Sequence, residues 1–256
     1  MILLVNDDGI DAPGLRAMYR ALRAAGHAVL AVAPSRERSG MSHAITIDRS
    51  LTATPRLESG FFGFAVDGTP TDCTKLALDQ LCSEPPRLVV SGINRGPNAG
   101  RSIFYSGTVG AAMEAAILGL PALAVSRQLC DDDRNLIAGA ALAATWATKL
   151  ATASTAWRGK VVNLNIPGLA PADWRPLTLA RHGQAGFHET YGKVVEDGRT
   201  RWALQGDWSP AGDHAAGDVT MLSAGHPVVS ILAPDLNGPA ADQRRLAKLA
   251  EETAHG

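Results

Sequence analysis

Ile2-Leu3-Leu4-Val5-Asn6-Asp7-Asp8-Gly9-Ile10-Asp11-Ala12-Pro13-Gly14 is the stretch whose reading decides the fold. Four consecutive apolar residues suit a strand buried on both faces of a parallel sheet. Asn6 to Asp11 reads as a polar loop with Gly9 as its flexible point. Asp11 is placed to cap a helix with Pro13 in its first turn, where a missing N–H does no harm. Leu15, Met18, Tyr19 and Leu22 follow the i, i+3, i+4, i+7 spacing of one apolar helical face, and Gly26 ends the helix. Ala28 to Ala33 is the next strand. The opening is a βαβ unit.

The unit recurs along the chain. Asp72 is placed to cap a helix carrying Cys73, Leu76, Ala77 and Leu81, followed by a short strand, Leu88-Val89-Val90. After a glycine-rich loop, Val109, Met113, Ala116 and Ile117 form a second helical stripe, ended by Gly119 and Pro121. Ala122 to Val125 is a strand, Asn135 to Leu150 an Ala-rich helix with Asp131-Asp132-Asp133 as its acidic cap, and Val161 to Ile166 a strand. Alternating strands and helices imply an α/β fold, a parallel sheet covered on both faces. From Pro167 the texture changes. Lys193 to Leu204 reads as a hairpin around Glu196-Asp197-Gly198, Val228 to Leu232 as a last strand, and Ala240 to Ala254 as a helix with Leu246, Leu249 and Ala250 on one face. The expected division is a catalytic core over 1–167, a hairpin and loop appendage over 168–227, and the last strand with the C-terminal helix over 228–256.

Composition narrows the function. The chain has 256 residues, 46% hydrophobic and 19% charged, enough for a sizeable core and against general disorder. Its 24 basic residues against 25 acidic leave no broad basic face for a nucleic-acid polymer, so an anionic ligand needs a local site. Three cysteines (Cys73, Cys82, Cys130) without CxxC spacing fit neither a disulfide framework nor a zinc knuckle. Ile2 to Val5 is too short for a signal sequence, and the longest uncharged run, Val219 to Pro234, is short of the roughly 20 residues of a membrane helix. The expectation is a cytoplasmic protein that meets no membrane.

In a doubly wound sheet, ligands bind beyond the carboxyl ends of the strands. Three loops there carry polar residues: Asn6 to Gly9, Pro34 to Gly40, and Ser91 to Asn98. The adjacent carboxylates Asp7 and Asp8 repel unless a proton or cation lies between them. Oxygen donors from Asp, Ser and Asn suit hard Mg²⁺, Mn²⁺ or Ca²⁺ more than zinc, although the same residues also favour plain turns. Ser106-Gly107-Thr108 opens a helix whose free N–H groups and hydroxyls make either an anion site or an ordinary cap. Metal beside phosphate suggests phosphate-ester hydrolysis. GxGxxG after the first strand, GxxxxGK[ST] and GxSxG are all missing. The seven histidines default to surface or structural roles; His43, near Ser39-Gly40, is held as a weak candidate and His226 is a strand-end candidate, while Arg36-Glu37-Arg38 reads as a solvated loop.

These motifs resemble the SurE (survival protein E) family of nucleotidases. The resemblance is carried by Ile2 to Ile10 with Ala12-Pro13-Gly14, Ala33-Pro34, Arg38-Ser39-Gly40, Gly68-Thr69-Pro70-Thr71-Asp72-Cys73, Ser91-Gly92-Ile93-Asn94 and Tyr105-Ser106-Gly107-Thr108-Val109. It implies a divalent-metal phosphatase acting on nucleoside 5'- and 3'-monophosphates, sometimes on polyphosphate. It maps one Mg²⁺ or Mn²⁺ ion per subunit onto Asp7, Asp8, Ser39 and Asn94. Asn98, Ser106, Gly107 and Thr108 fall at phosphate-contacting positions, and Gly40 joins them as substrate-binding. Where the family ends on aromatic-Val-Ser-Ile-Thr-Pro-Leu preceded by Thr-Asp, this chain has His226 to Pro234 and Gly217-Asp218.

The reading is therefore a Rossmann-like α/β domain with a hairpin appendage and a C-terminal helix, working as a metal-dependent nucleotidase. Asp7, Asp8, Asn98 and Ser106 are the expected catalytic residues, with water attack preferred over covalent attack by either aspartate. The rival readings are a nucleotide-sugar glycosyltransferase and a non-catalytic nucleotide sensor. Trp174, Phe187, Tyr191, Trp202 and Trp208 on thin structure, and the dimers or tetramers of the resembled family, imply a homodimer or homotetramer.

Overall fold

The computed structural model describes residues 1–130, 132–237 and 240–254. Asp131, expected in a cap, and the side chain of Leu249 lie outside the described residues. The strands are β1 (Ile2–Val5), β2 (Val29–Pro34), β3 (Ala53–Glu58), β4 (Phe61–Val66), β5 (Leu88–Arg95), β6 (Ala122–Arg127), β7 (Val161–Ile166), β8 (Thr178–Leu179), β9 (Gly186–Glu196), β10 (Arg199–Ser209) and β11 (Val228–Leu232). The helices are α1 (Pro13–Ala24), α2 (Pro70–Leu76), α3 (Gly107–Ile117), α4 (Asp133–Thr152), α5 (Asp218–Ser223) and α6 (Ala240–Ala254).

Nine strands form one sheet in the order β3-β4-β2-β1-β5-β6-β7-β11-β8, and β9 and β10 pair separately. The fold is α/β, Rossmann-like and mostly parallel. Two pairings, β3 with β4 and β7 with β11, are antiparallel, so the doubly wound sheet is mostly parallel, as expected. In β1, Ile2 and Leu4 face one core with α1 and α4, while Leu3 and Val5 face the other with Cys73 of α2 and Val109 of α3. Both cores meet at β1, which explains its unbroken apolar run. From β1 the chain turns to β2 on one side, and from β5 to β6 on the other. The crevice between the ends of β1 and β5 is thus the topological switch point where such sheets bind ligands.

Several local expectations change. Ala12, not Asp11, is the N-cap of α1; Asp11 instead pairs with Arg16 at 2.8 Å. Asp72 is not the cap of α2 but its third residue, in a capping box with Thr69. Asp72 also accepts from the Thr46 N–H and hydroxyl, and these bonds hold its carboxyl below the usual range despite the opposing effect of burial. That helix is short and continues as a π-turn over Ala77–Leu81. Asp132 caps α4 through the Arg134 N–H, as the acidic run implies.

Strand β5 runs five residues past its expected end. Its pairing with β6 shifts between Ser91 and Asn94, so one extra residue bulges out and re-aims Asn94. Gly92 sits there at φ +136, with Val125 O 2.3 Å from where a Cβ would lie. The hairpin turn is Asp197-Gly198, both at positive φ, between strands of 11 residues each. Two of the five rings of the appendage fold back: Trp174 packs on the main core and Trp208 on two small clusters. Phe187, Tyr191 and Trp202 stay exposed.

Gly14 explains why α1 lies so close to β5. A Cβ there would stand 2.0 Å from Ile93 O, one residue before Asn94. Gly14→Ala is expected to lose at least about 1–3 kcal/mol through this overlap, despite alanine's better helix propensity. Urea unfolding checks it, and a midpoint equal to or above wild type contradicts the packing argument.

Candidate active site

Asn6 builds the platform. Its amide donates to Gly9 O (2.9 Å) and its Oδ1 accepts from Gly9 N–H (3.2 Å), closing the loop that follows β1. Gly9 holds φ +103, which only glycine adopts without strain. The loop carries Asp7 inward, to 4% exposure, and leaves Asp8 half-buried. Asp7 accepts a short hydrogen bond from the Thr108 hydroxyl in the first turn of α3. Gly107 allows that approach, since a Cβ would meet Asp7 Cβ at 3.0 Å and Pro70 Cγ at 2.9 Å.

The two carboxylates are poorly neutralised. Burial pushes the Asp7 carboxyl up to about 6, and the charge of Asp8 adds to the rise while Thr108 opposes it. Burial also raises Asp8, and Glu37 adds to it, against the Arg95 N–H that donates to Asp8 Oδ2 at 3.2 Å. Among the described residues, no Lys or Arg forms an ion pair with either.

The other residues arrive from separate loops. Arg38 N–H donates to Asp7 O (2.8 Å), and Ser42 bonds to the backbone of Phe104 and Tyr105, so the loop after β2 lies against the site. This loop presents Ser39, whose hydroxyl donates to Glu37 (2.7 Å). Arg38 is more than the solvated residue expected, because its Nε is buried and has no partner among the described residues. Asn94 donates to Gly96 O at 2.8 Å. Asn98 is clamped: its N–H donates to Asn165, its carbonyl accepts from the amides of Asn163 and Asn165, and its own amide donates to Ser126. Ser106 is the N-cap of α3, its oxygen accepting from Val109 N–H at 3.0 Å. Its hydroxyl proton is not used in that bond, so capping and anion binding are compatible.

Asp7, Ser39, Gly40, Asn94, Asn98 and Ser106 line one cavity of about 630 Å³. Asp8 borders an adjoining cavity with Glu37, and Arg95 lines both. Gly107 and Thr108 stand behind Asp7, so the Thr108 hydroxyl positions that carboxylate. The two candidate histidines lie elsewhere. His43 pairs with buried Glu114 at 2.8 Å, which also binds Lys75, and His226 bonds Pro176 O at 2.7 Å. Sequence reasoning missed Asn163, Asn165 and Ser126, although two amides alternating inside the apolar strand Val161-Val162-Asn163-Leu164-Asn165-Ile166 are a signal, since buried amides need partners. It also missed Arg95, Tyr105 and the hairpin wall of the cavity.

A family model described as Survival protein SurE matches residues 2–189. This chain belongs to the SurE family. It is 42% identical over 257 residues to a protein of Solidesulfovibrio magneticus named 5'-nucleotidase SurE, covering 98% of each chain. It is 41% identical over 230 residues to a protein of the same name from Desulfovibrio desulfuricans, covering 88% of this chain and 89% of that one. The crystal structure of a SurE protein from Aquifex aeolicus superposes with a TM-score of 0.81 at 31% identity, covering 98% of this chain and 99% of that one.

Asp7 predicts an unusual pH dependence. Its folded pKa, about 6, lies above the ordinary 3.8, so the folded state binds this proton more tightly than the unfolded state. The group therefore favours folding at low pH, and that contribution is lost as pH rises from the ordinary carboxylate range through 6. In metal-free protein, Asp7→Asn is expected to gain stability relative to wild type between pH 4 and 7. Urea unfolding in EDTA across this range measures it, and a constant difference between the two proteins overturns the burial argument.

Proposed function

We propose that the chain is a metal-dependent nucleotidase that hydrolyses nucleoside 5'-monophosphates to nucleoside and inorganic phosphate, and accepts 3'-monophosphates and short polyphosphate. The observation that carries this reading is the pair of under-neutralised carboxylates, Asp7 buried and Asp8 half-buried, beside a helix N-terminus at the switch point of the sheet. Full-length likeness to proteins named 5'-nucleotidase supports it over a glycosyltransferase or a sensor.

The donor set fits one Mg²⁺ or Mn²⁺ ion per subunit. Two carboxylates raised by burial have no ion-pair partner among the described residues, Arg95 only partly offsetting Asp8, and the remaining donors, Ser39 and Asn94, are neutral oxygens, as hard cations prefer. Among the described residues no group of three or more His, Cys, Asp or Glu is clustered to hold a metal ion, so the site depends on its serine and asparagine oxygens beside the two carboxylates. The ion, when bound, supplies charge neutralisation at the phosphoryl group and a more acidic water. The protein residues do the rest. Asn98, locked by its amide clamp, and the Ser106 hydroxyl are set to hold equatorial phosphoryl oxygens as charge builds. The first-turn amides of Gly107 and Thr108 add the positive end of α3. Gly40 leaves the mouth of the cavity free of a side chain. Thr108 keeps Asp7 in one orientation, and direct water attack remains preferred over attack by Asp7 or Asp8.

Residues 1–167 act as the catalytic core, 168–227 as lid and subunit interface, and 228–256 as closing strand and exchange helix of a homodimer or homotetramer. Exposed Trp202 and Val195, toward the tip of the hairpin and outside the cavity lining, support this assignment. Among the described residues no helix is long and apolar enough to cross a membrane, and the three cysteines are free, which suits the cytoplasm.

Phosphate release from nucleoside monophosphates with Mg²⁺, Mn²⁺ or EDTA tests the function. Asp8→Asn is expected to keep the fold and lose metal-stimulated release, because an amide neither repels Asp7 nor attracts a cation. Ser106→Ala should cost on the order of 2–4 kcal/mol in kcat/KM, beyond about 1 kcal/mol of stability from the lost cap. Turnover by both variants at wild-type levels overturns the assignment. Light scattering at micromolar concentration tests the assembly: a fully active 26.8 kDa monomer excludes it.

A further inference from the structure

We propose that the aromatic face of the β9–β10 hairpin is the nucleobase subsite of this cavity, and that Glu189 makes it select guanine; the proposal rests on the nucleotidase reading. Alternate residues of a strand share a face, so Phe187, Glu189 and Tyr191 stand together on β9. The register places Trp208, Gly206 and Leu204 opposite them on β10. Four of these six, Phe187, Glu189, Tyr191 and Leu204, line the cavity that also holds Asp7, Asn94, Asn98 and Ser106. Tyr105, directly before Ser106, lines it too. One cavity thus joins a polar phosphate end to an apolar, aromatic end.

The rings have no structural duty that explains them. Tyr191 is 68% and Tyr105 61% exposed, and neither they nor Phe187 belongs to a hydrophobic cluster of the described residues. Phe187 is nonetheless held in place. A Cβ on Gly206 would stand 2.8 Å from its ring, so the bare glycine is where the ring lies. A planar base stacks on such rings, and a purine offers more face than a pyrimidine. The volume, about 630 Å³, is of the size that small-molecule sites have.

Glu189 gives the selectivity. Its carboxylate is exposed and, among the described residues, has no hydrogen-bond or ion-pair partner, so its oxygens are free to accept from a ligand at the cavity wall. A carboxylate offers two acceptors side by side. The N1–H and N2–H₂ of guanine match them in parallel, whereas adenine brings one donor and one acceptor, and its acceptor faces a carboxylate oxygen. A glutamine at this place reverses the match, because its amide offers one acceptor and one donor.

The experiment compares kcat/KM for GMP, AMP, CMP and ribose 5-phosphate on the full chain with Mn²⁺. Wild type is expected to favour GMP over AMP, and both over CMP. Glu189→Gln should lower the GMP-to-AMP ratio by about tenfold, and Tyr191→Ala should lower all three nucleotides by about tenfold relative to ribose 5-phosphate, through KM. Wild type without a guanine preference overturns the proposal, as does a GMP-to-AMP ratio in Glu189→Gln within about threefold of wild type. Equal losses on nucleotides and ribose 5-phosphate in Tyr191→Ala do the same, since they mark a general lesion. Failure of wild type to release phosphate from any of the four substrates refutes the nucleotidase reading itself.

Discussion

Asp7 is a carboxylate taken almost out of water, and the parts of the molecule that surround it are arranged around that fact. Its backbone carbonyl ties down the loop after β2 through Arg38, and its side chain ties down the start of α3 through Thr108. Segments a hundred residues apart in sequence therefore meet at one acid. Burial alone would protonate it or unfold its surroundings. One hydroxyl and the end of a helix reduce that penalty without removing it, and the remaining imbalance, shared with Asp8, is what the proposed cation would relieve.

Around this charged point the site is built from neutral groups. Asn98 is oriented by Asn163, Asn165 and Ser126 rather than by any ion pair, so its geometry is set without adding charge that would compete with a phosphate. Glu114, the buried acid of α3, is satisfied by His43 and Lys75 and so does not add to the charge at the site. Asp218 ties segments together further out through one of its oxygens, Oδ1. It accepts from the N–H groups of Gly100 and Gly183 and thereby joins the turn before Tyr105 to the base of the hairpin. The hairpin itself pairs only with itself, which leaves its aromatic face turned to the cavity.

Much of the fold was legible because its signals are local. The apolar run of β1, the stripe of α1, the alternating strands and helices, and Asp197-Gly198 each specify backbone conformation within a few residues. The extra length of β5 was not legible, because a bulge is defined by the partner strand and not by Ser91-Gly92-Ile93 alone. The pair β3 and β4 also escaped, since β3 is mostly exposed and carries little periodicity. Asp11 and Asp72 were assigned caps by proximity, but Arg16 and Thr69 compete for the same positions.

The site divides in the same way. Polar residues after buried strands marked Asp7, Ser39, Asn94 and Asn98, because a doubly wound sheet exposes only those ends to ligands. Their convergence on one cavity with Ser106, the diversion of His43 to Glu114, and the amide clamp on Asn98 were decided by tertiary structure. So was the raised pKa of Asp7, because burial depends on everything packed around a group. By itself the sequence determined which residues could be strand, helix or loop, and which loops carried chemistry, since these follow from short-range periodicity and chain connectivity. Only the tertiary structure decided which of those residues face one another, because hydrogen bonds and desolvation act across space between segments that the chain order leaves far apart.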